Sequence, residues 1–268
     1  MKKVVLLFDG GQYTKGTLEL CQRMNDTASI LLVGCFLPGI DFTGMSEIYG
    51  YGALDIPVQI RADEEVVEEN IEQFKSYCAA HQISCRVHKD FTLDAYPLLH
   101  KESRYTDLLV IWSQAFLGQL ALNIPPENLR DALHTSECPV MVVPAHYYDP
   151  EHIILAYDGS ASSVYAIKMF SYIFPELCNK TTILLHVGGD GDLPATTSIQ
   201  QLGRAHFPNF QVLELETMDL FEDWIKTIPA PILVTGAFGR SGLSSLFRMS
   251  FSRKALSSFS FPVFIAHL

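Results

Sequence analysis

The sequence predicts an α/β protein of two tandem Rossmann-like domains, each with a mainly parallel five-stranded sheet. Three observations carry that prediction. Short apolar runs without polar alternation, the mark of strands buried on both faces, alternate along the chain with helix-compatible stretches. The opening Lys2-Lys3-Val4-Val5-Leu6-Leu7-Phe8-Asp9-Gly10 is matched 149 residues later by His152-Ile153-Ile154-Leu155-Ala156-Tyr157-Asp158-Gly159, another apolar run ending in Asp-Gly. The halves also close alike, Cys138-Pro139-Val140-Met141-Val142-Val143 against Phe261-Pro262-Val263-Phe264-Ile265, with the two prolines 123 residues apart. Matching ends around a second copy shorter by 26 residues indicate duplication followed by trimming. The domains are accordingly set at 1–147 and 148–268.

In the first half, apolar runs predict strands at 3–8, 29–36, 84–88, 107–112 and 139–144. Helices are expected at 14–24, 60–80, 92–101 and 126–135. The 60–80 helix has the clearest pattern, with Val66, Val67, Asn70, Ile71, Phe74 and Tyr77 as a stripe among Glu64, Glu65, Glu68, Glu69 and Glu72. The second half gives strands at 153–157, 182–187, 210–215, 231–235 and 262–266, with helices at 161–173, 196–205, 218–226 and 251–258. Its second helix is much the shorter, which is where the trimmed residues went. The segment 38–57, with four glycines and three aromatics, is long for a strand-to-helix connection. It reads either as a packed excursion or as a lid or partner-contact loop.

The formal net charge of -11 disfavours a broad nucleic-acid or anionic-membrane surface. Acidity is concentrated in residues 1–150, where 20 Asp and Glu stand against 11 Lys and Arg; the rest carries 10 against 8 and is more hospitable to an anion. Met1-Lys2-Lys3 before an apolar run has the flavour of a signal peptide, but Asp9 ends the run too soon, and no run nears the ~20 residues of a bilayer span. The six cysteines lie in apolar segments with no CxxC pair, which predicts free buried thiols and a cytoplasmic location.

Chemistry in a doubly wound sheet gathers beyond the carboxyl ends of the strands. Strand 153–157 leads into Asp158-Gly159-Ser160, and strand 231–235 leads into Gly236-Ala237-Phe238-Gly239-Arg240-Ser241-Gly242. If the two strands are neighbours, carboxylate and glycine loop face one crevice. Two readings of Asp158 stand side by side: a cap or turn former for the helix at 161–173, and an acceptor for a nucleotide base or sugar. Gly236, Gly239 and Gly242 can bring amides near a phosphate, with Ser250 ahead of the last helix, or they can simply form a turn. The loop matches neither GxGxxG nor GxxxxGK[ST], so a dinucleotide crossover and a P-loop are both disfavoured. Arg240 and Arg248 read either as surface residues or as charge for a ligand. No G-x-S-x-G elbow or compact Cys/His arrangement is present, and His81, His88, His100 and His134 lack metal-site spacing. His186 reads as a hydrogen-bonded, buried or half-buried histidine, and no catalytic base is nominated.

These stretches, with Leu184-Leu185-His186-Val187 and Phe261-Pro262-Val263, resemble the universal stress protein family in its tandem two-domain form. Gly239 is followed by nine residues and then by Met249-Ser250, where nucleotide-binding members carry Gly-Ser. The resemblance implies that Ala156, Asp158 and Val187 hold adenine while Gly236, Gly239, Met249 and Ser250 lie at ribose and phosphates. ATP is the implied ligand. A methionine at 249 departs from the pattern, and its side chain would crowd that end. The first half departs further, with Trp112-Ser113-Gln114-Ala115-Phe116-Leu117-Gly118 in place of the glycine loop and Pro125-Pro126 where Gly-Ser is expected. The resemblance further implies that 139–144 and 262–266 pair, joining the domains as an intramolecular pseudo-dimer, with a homodimer of whole chains left open.

Three functions follow as expectations. The first is a non-catalytic stress-response or signalling protein whose second domain binds an adenine nucleotide and shows it to an unidentified protein partner. The second is a ligand-free interaction scaffold whose phosphate site Met249 has closed. The third is a slow ATP hydrolase, disfavoured because no base or metal-binding carboxylate pair is identifiable. No metal, nucleic acid or membrane is expected as a partner.

Overall fold

The structure, a computed structural model, describes residues 1–9, 15–37, 56–89, 95–112, 136–188, 193–236 and 261–268. The chain divides into two compact units, Met1–Cys138 and Pro139–Leu268. Both are α/β with mainly parallel sheets, as the apolar runs predict. No helix among the described residues is long and apolar enough to cross a membrane.

In the first unit the described elements are β1 (Lys2–Asp9), α1 (Lys15–Thr27), β2 (Ile30–Leu37), α2 (Ile56–Ala80), β3 (Ser84–Lys89), α3 (Ala95–Arg104) and β4 (Leu108–Trp112). The strands are parallel in the order β3-β2-β1-β4. α2 turns Val67, Asn70, Ile71, Phe74 and Cys78 inward. Val66, expected in that stripe, is exposed, because it sits one residue and thus about 100° around the helix from Val67. The stripe continues instead through Cys78, with Tyr77 half-buried and donating its hydroxyl to Gln22 Oε1 at 2.7 Å. α2 also begins at Ile56, inside the segment read as a loop, whose remainder at 38–55 lies outside the described residues. The helix expected at 126–135 lies outside them too, as do Pro125-Pro126.

The second unit holds β5 (Val140–Val143), β6 (His152–Ala156), α4 (Ala161–Ile173), a 3-10 turn at Pro175–Asn179, β7 (Thr181–Val187), α5 (Thr196–His206), β8 (Phe210–Leu215), α6 (Met218–Ile225), β9 (Pro231–Gly236) and β10 (Val263–Ala266). Its strand order is β5-β10-β9-β6-β7-β8, parallel except for β5 against β10. The two closing strands do pair, Val263 opposite Val142 and Ile265 opposite Val140. β5 lies within the second compact unit, Pro139–Leu268. At 11 residues against 25, α5 is far shorter than α2, which accounts for part of the trimming. The helix expected at 251–258 lies outside the described residues.

Two apolar layers hold this sheet between helices. On one face Ile154, Ala156, Leu185 and Leu233 close on Phe221 and Ile225 of α6. On the other, Phe264 meets Phe170 of α4 edge-on, with centroids 5.4 Å apart, and Phe174 just beyond it. Each buried aromatic or branched side chain contributes about 1.5–3 kcal/mol of transfer free energy. Within α4, buried Ser163, Ala166, Ile167, Phe170 and Ile173 repeat at helical spacing, so one stripe seats the helix on the sheet.

Candidate functional site

From β6 the chain winds outward through β7 to β8, then returns to the other side of β6 as β9. That reversal makes the carboxyl edge between β6 and β9 the switch point where doubly wound sheets take ligands. β6 and β9 are parallel neighbours, with Leu155 opposite Val234, so Asp158 and Gly236 leave the sheet at the same edge. β7 adjoins β6 on the other side with Ala156 opposite Leu185, which brings Val187 to that edge as well. Four of the sequence-derived site residues are thus gathered there: Ala156, Asp158, Val187 and Gly236. Gly239, Met249 and Ser250 lie outside the described residues, together with Arg240, Gly242 and Arg248.

Each of the four has a distinct local role. Ala156 is buried in the layer formed with Leu185 and Phe221, and half-buried Val187 rims the same layer. Asp158 Oδ1 accepts the Ser160 amide at 2.9 Å, closing the Asp-Gly-Ser turn on itself. The cap of α4 is Ser160, not Asp158: Ser160 Oγ accepts the Ser163 amide at 3.1 Å. Asp158 stands too far before the helix to cap it and acts on the turn instead. Gly159 has φ +80, the left-handed region that favours glycine, and a Cβ there would stand 2.7 Å from Pro194 Cβ.

Gly236 is the last residue of β9, opposite Ala266. A Cβ on it would lie 2.6 Å from the Ser162 carbonyl carbon and the Ser163 amide nitrogen. Its missing side chain is what lets the first turn of α4 approach β9.

Two residues that no motif singled out for a ligand tie this edge together. The Tyr157 hydroxyl donates to the Pro194 carbonyl at 2.9 Å, and its amide donates to the Leu185 carbonyl at 2.9 Å. Burial, with the neighbouring Asp158 charge, raises the Tyr157 phenol above its ordinary pKa. His186 is half-buried and hydrogen-bonded, as expected, and its partner at 2.9 Å is the Tyr157 carbonyl. A carbonyl only accepts, so Nδ1 carries the proton and a neutral ring keeps Nε2 as an acceptor. The sequence signal for Tyr157 was its place between Ala156 and Asp158, where strand alternation turns it to the opposite face.

The same registers align the first unit with the second. Asp9 corresponds to Asp158, Phe8 to Tyr157, Phe36 to His186 and Trp112 to Gly236. Phe8 and Phe36 stack with centroids 4.4 Å apart, and Phe74 closes on both edge-on. Aromatic core thus occupies the place where the second unit has a polar clamp. Among the described residues the buried indole nitrogen of Trp112 has no hydrogen-bond partner.

Elsewhere, His88 Nδ1 meets Glu102 at 2.9 Å, and His100 Nε2 meets Glu137 at 3.1 Å. Among the described residues no group of three or more His, Cys, Asp or Glu is placed to hold a metal. None of the six cysteines is in a disulfide; five are buried, and Cys85 is half-buried. Burial drives the Cys21 thiol up to about 12.

No family model matches the chain, and no curated protein matches its sequence. Solved structures do match its fold. The chain is similar to a universal stress protein from Archaeoglobus fulgidus, at 16% identity and a TM-score of 0.67 over 99% of this chain and 96% of that one. It is also similar to a functionally unknown protein from Pseudomonas aeruginosa, at 12% identity and a TM-score of 0.56 over 100% and 92%. A universal stress protein family protein from Arabidopsis thaliana, solved with AMP bound, is similar at 14% identity over 54% of this chain and 92% of that one. Its TM-score of 0.37 carries no argument for this chain. The first two likenesses establish a shared fold, and the first of them is that of a universal stress protein structure.

Proposed function

We propose that the second unit binds an adenine nucleotide, with ATP the first ligand to test, and that the protein is a non-catalytic stress-response or signalling module. One observation carries the reading: Asp158 and Gly236 leave adjacent parallel strands at the same edge of a topological switch point. The fold shared with universal stress protein structures and the spacing from Gly239 to Ser250 support it. In this reading Asp158 and the main chain at Ala156 and Val187 face the base, while the glycine loop and Ser250 face ribose and phosphates. The signal is a population shift: a nucleotide held more tightly by one conformation changes the surface a partner meets.

The decisive experiment is mass spectrometry of nucleotide retained by the purified full chain, followed by titration with ATP, ADP and AMP. Intact ATP recovered after long incubation, with saturable binding, supports the proposal; no binding of any of the three at millimolar concentration overturns it.

A second reading, an interaction scaffold without ligand, is favoured by the packing at Gly236, where the glycine is required by α4 whether or not a phosphate is ever bound. It predicts that Met249→Gly creates or strongly tightens ATP binding. Equal affinity before and after that substitution counts against it.

A further inference from the structure

The chain leaves strand pairing after Ala156, so the direction in which Asp158 departs depends on what holds Tyr157. Three contacts do: its amide on Leu185, its hydroxyl on Pro194 and its carbonyl on His186, each at 2.9 Å. The carbonyl contact bears most directly on Asp158. The Tyr157 carbonyl and the Asp158 amide belong to one planar peptide group, so a donor fixed on the oxygen fixes the plane from which the Asp158 Cα hangs. We infer that His186 is a positioning residue for the Asp158-Gly159-Ser160 turn, acting through the Tyr157 carbonyl to present the turn to a ligand. What the turn presents rests on the nucleotide reading above; what holds it rests on the geometry alone.

Two further observations support the assignment. A Cβ on Gly188 would stand 2.9 Å from His186 Nε2, so the residue two positions on leaves room for the ring in this orientation. The first unit completes its strand ends with stacked Phe8 and Phe36 at the aligned positions. The architecture therefore does not need a histidine donor here. The donor is particular to the unit that carries the candidate site.

The test uses the full chain with His186→Phe, which copies the first unit; His186→Asn, whose amide nitrogen stands near the place of Nδ1; and Gly188→Ala, which pushes the ring from its seat. Hydrogen exchange of the peptide spanning the turn is measured beside that of α4, and ATP is titrated in parallel. His186→Phe and Gly188→Ala are expected to speed turn exchange, with α4 unchanged, and to weaken ATP binding by roughly five- to tenfold, the scale of one hydrogen bond. His186→Asn is expected to restore both readouts. Turn exchange unaltered in His186→Phe and Gly188→Ala, or His186→Asn as impaired as His186→Phe, overturns the inference. The two failures are separable: a wild-type chain that binds no ATP while His186→Phe still loosens the turn refutes the nucleotide reading and leaves the positioning role standing. ATP bound equally by wild type and His186→Phe, with unaltered exchange, does the reverse.

Discussion

The Cα of Gly236 abuts the peptide joining Ser162 to Ser163, so that a single added methyl group would come within 2.6 Å of its carbonyl carbon and nitrogen. Both obstacles are backbone, and neither can rotate away. Gly236→Ala is expected to destabilise the second unit by about 1–3 kcal/mol, the range for overpacking a close contact. Denaturant melts of wild type and variant check this; an unchanged midpoint contradicts the packing described.

The turn offers a second test. Gly159→Ala is expected to cost about 1–2 kcal/mol, because an L side chain is strained in the left-handed region. Ser160→Ala is expected to cost about 1 kcal/mol by removing the cap on Ser163, and Ser160→Asp to restore most of it. Thermal denaturation of the three variants separates the backbone effect from the cap.

Asp158 combines an acceptor with a charge, and substitution divides them. Asp158→Asn keeps an oxygen for the Ser160 amide, so its stability is expected near wild type, whereas Asp158→Ala is expected to lose about 1 kcal/mol. The Asp158 charge also helps to hold the Tyr157 phenol above its ordinary pKa, after burial. Tyrosinate absorbance in an alkaline titration is therefore expected to rise at lower pH in Asp158→Asn, and an unshifted curve argues against the coupling.

Much of this was legible in the sequence. Runs such as Val4–Phe8 and Ile153–Tyr157 announce strands buried on both faces, and Asp-Gly after each announces where they end. Asp158 and Gly236 could be assigned to one edge, given neighbouring strands, because strand ends in parallel sheets collect there; Val187 came only through the family resemblance. Asp158 reads from sequence as a cap or a turn former and proves to be the turn former; Asp158 and Ser160 are both good capping residues, and only the helix start tells them apart. Tyr157 and His186 could not be paired from sequence, since 29 residues separate them and strand register alone makes them neighbours. The pairing of β5 with β10 was legible only through the family resemblance, because an apolar run does not name its partner strand.

The buried acids set the alkaline limit. Burial raises Cys21 and Tyr77 to about 12, and Cys138 and Cys178 to about 11. Between the ordinary and the raised values the unfolded chain has lost protons that the folded chain keeps, so stability falls as pH rises. It is expected to be independent of these groups below about pH 8, to decline from about 9 as the unfolded thiols ionise, and to decline faster above about 10 as Tyr77 joins them. Urea midpoints across this range check the sign; a midpoint that rises above pH 9 refutes it.

The antiparallel bond between Val140–Val143 and Val263–Ala266 has a practical corollary for dissecting the chain. A fragment begun at residue 148 would discard four residues that cover one flank of β10, leaving its amides and carbonyls ready to recruit another molecule's strand. Such a fragment is expected to self-associate, and its behaviour would misrepresent the intact unit. Excision at Pro139 keeps the flank covered.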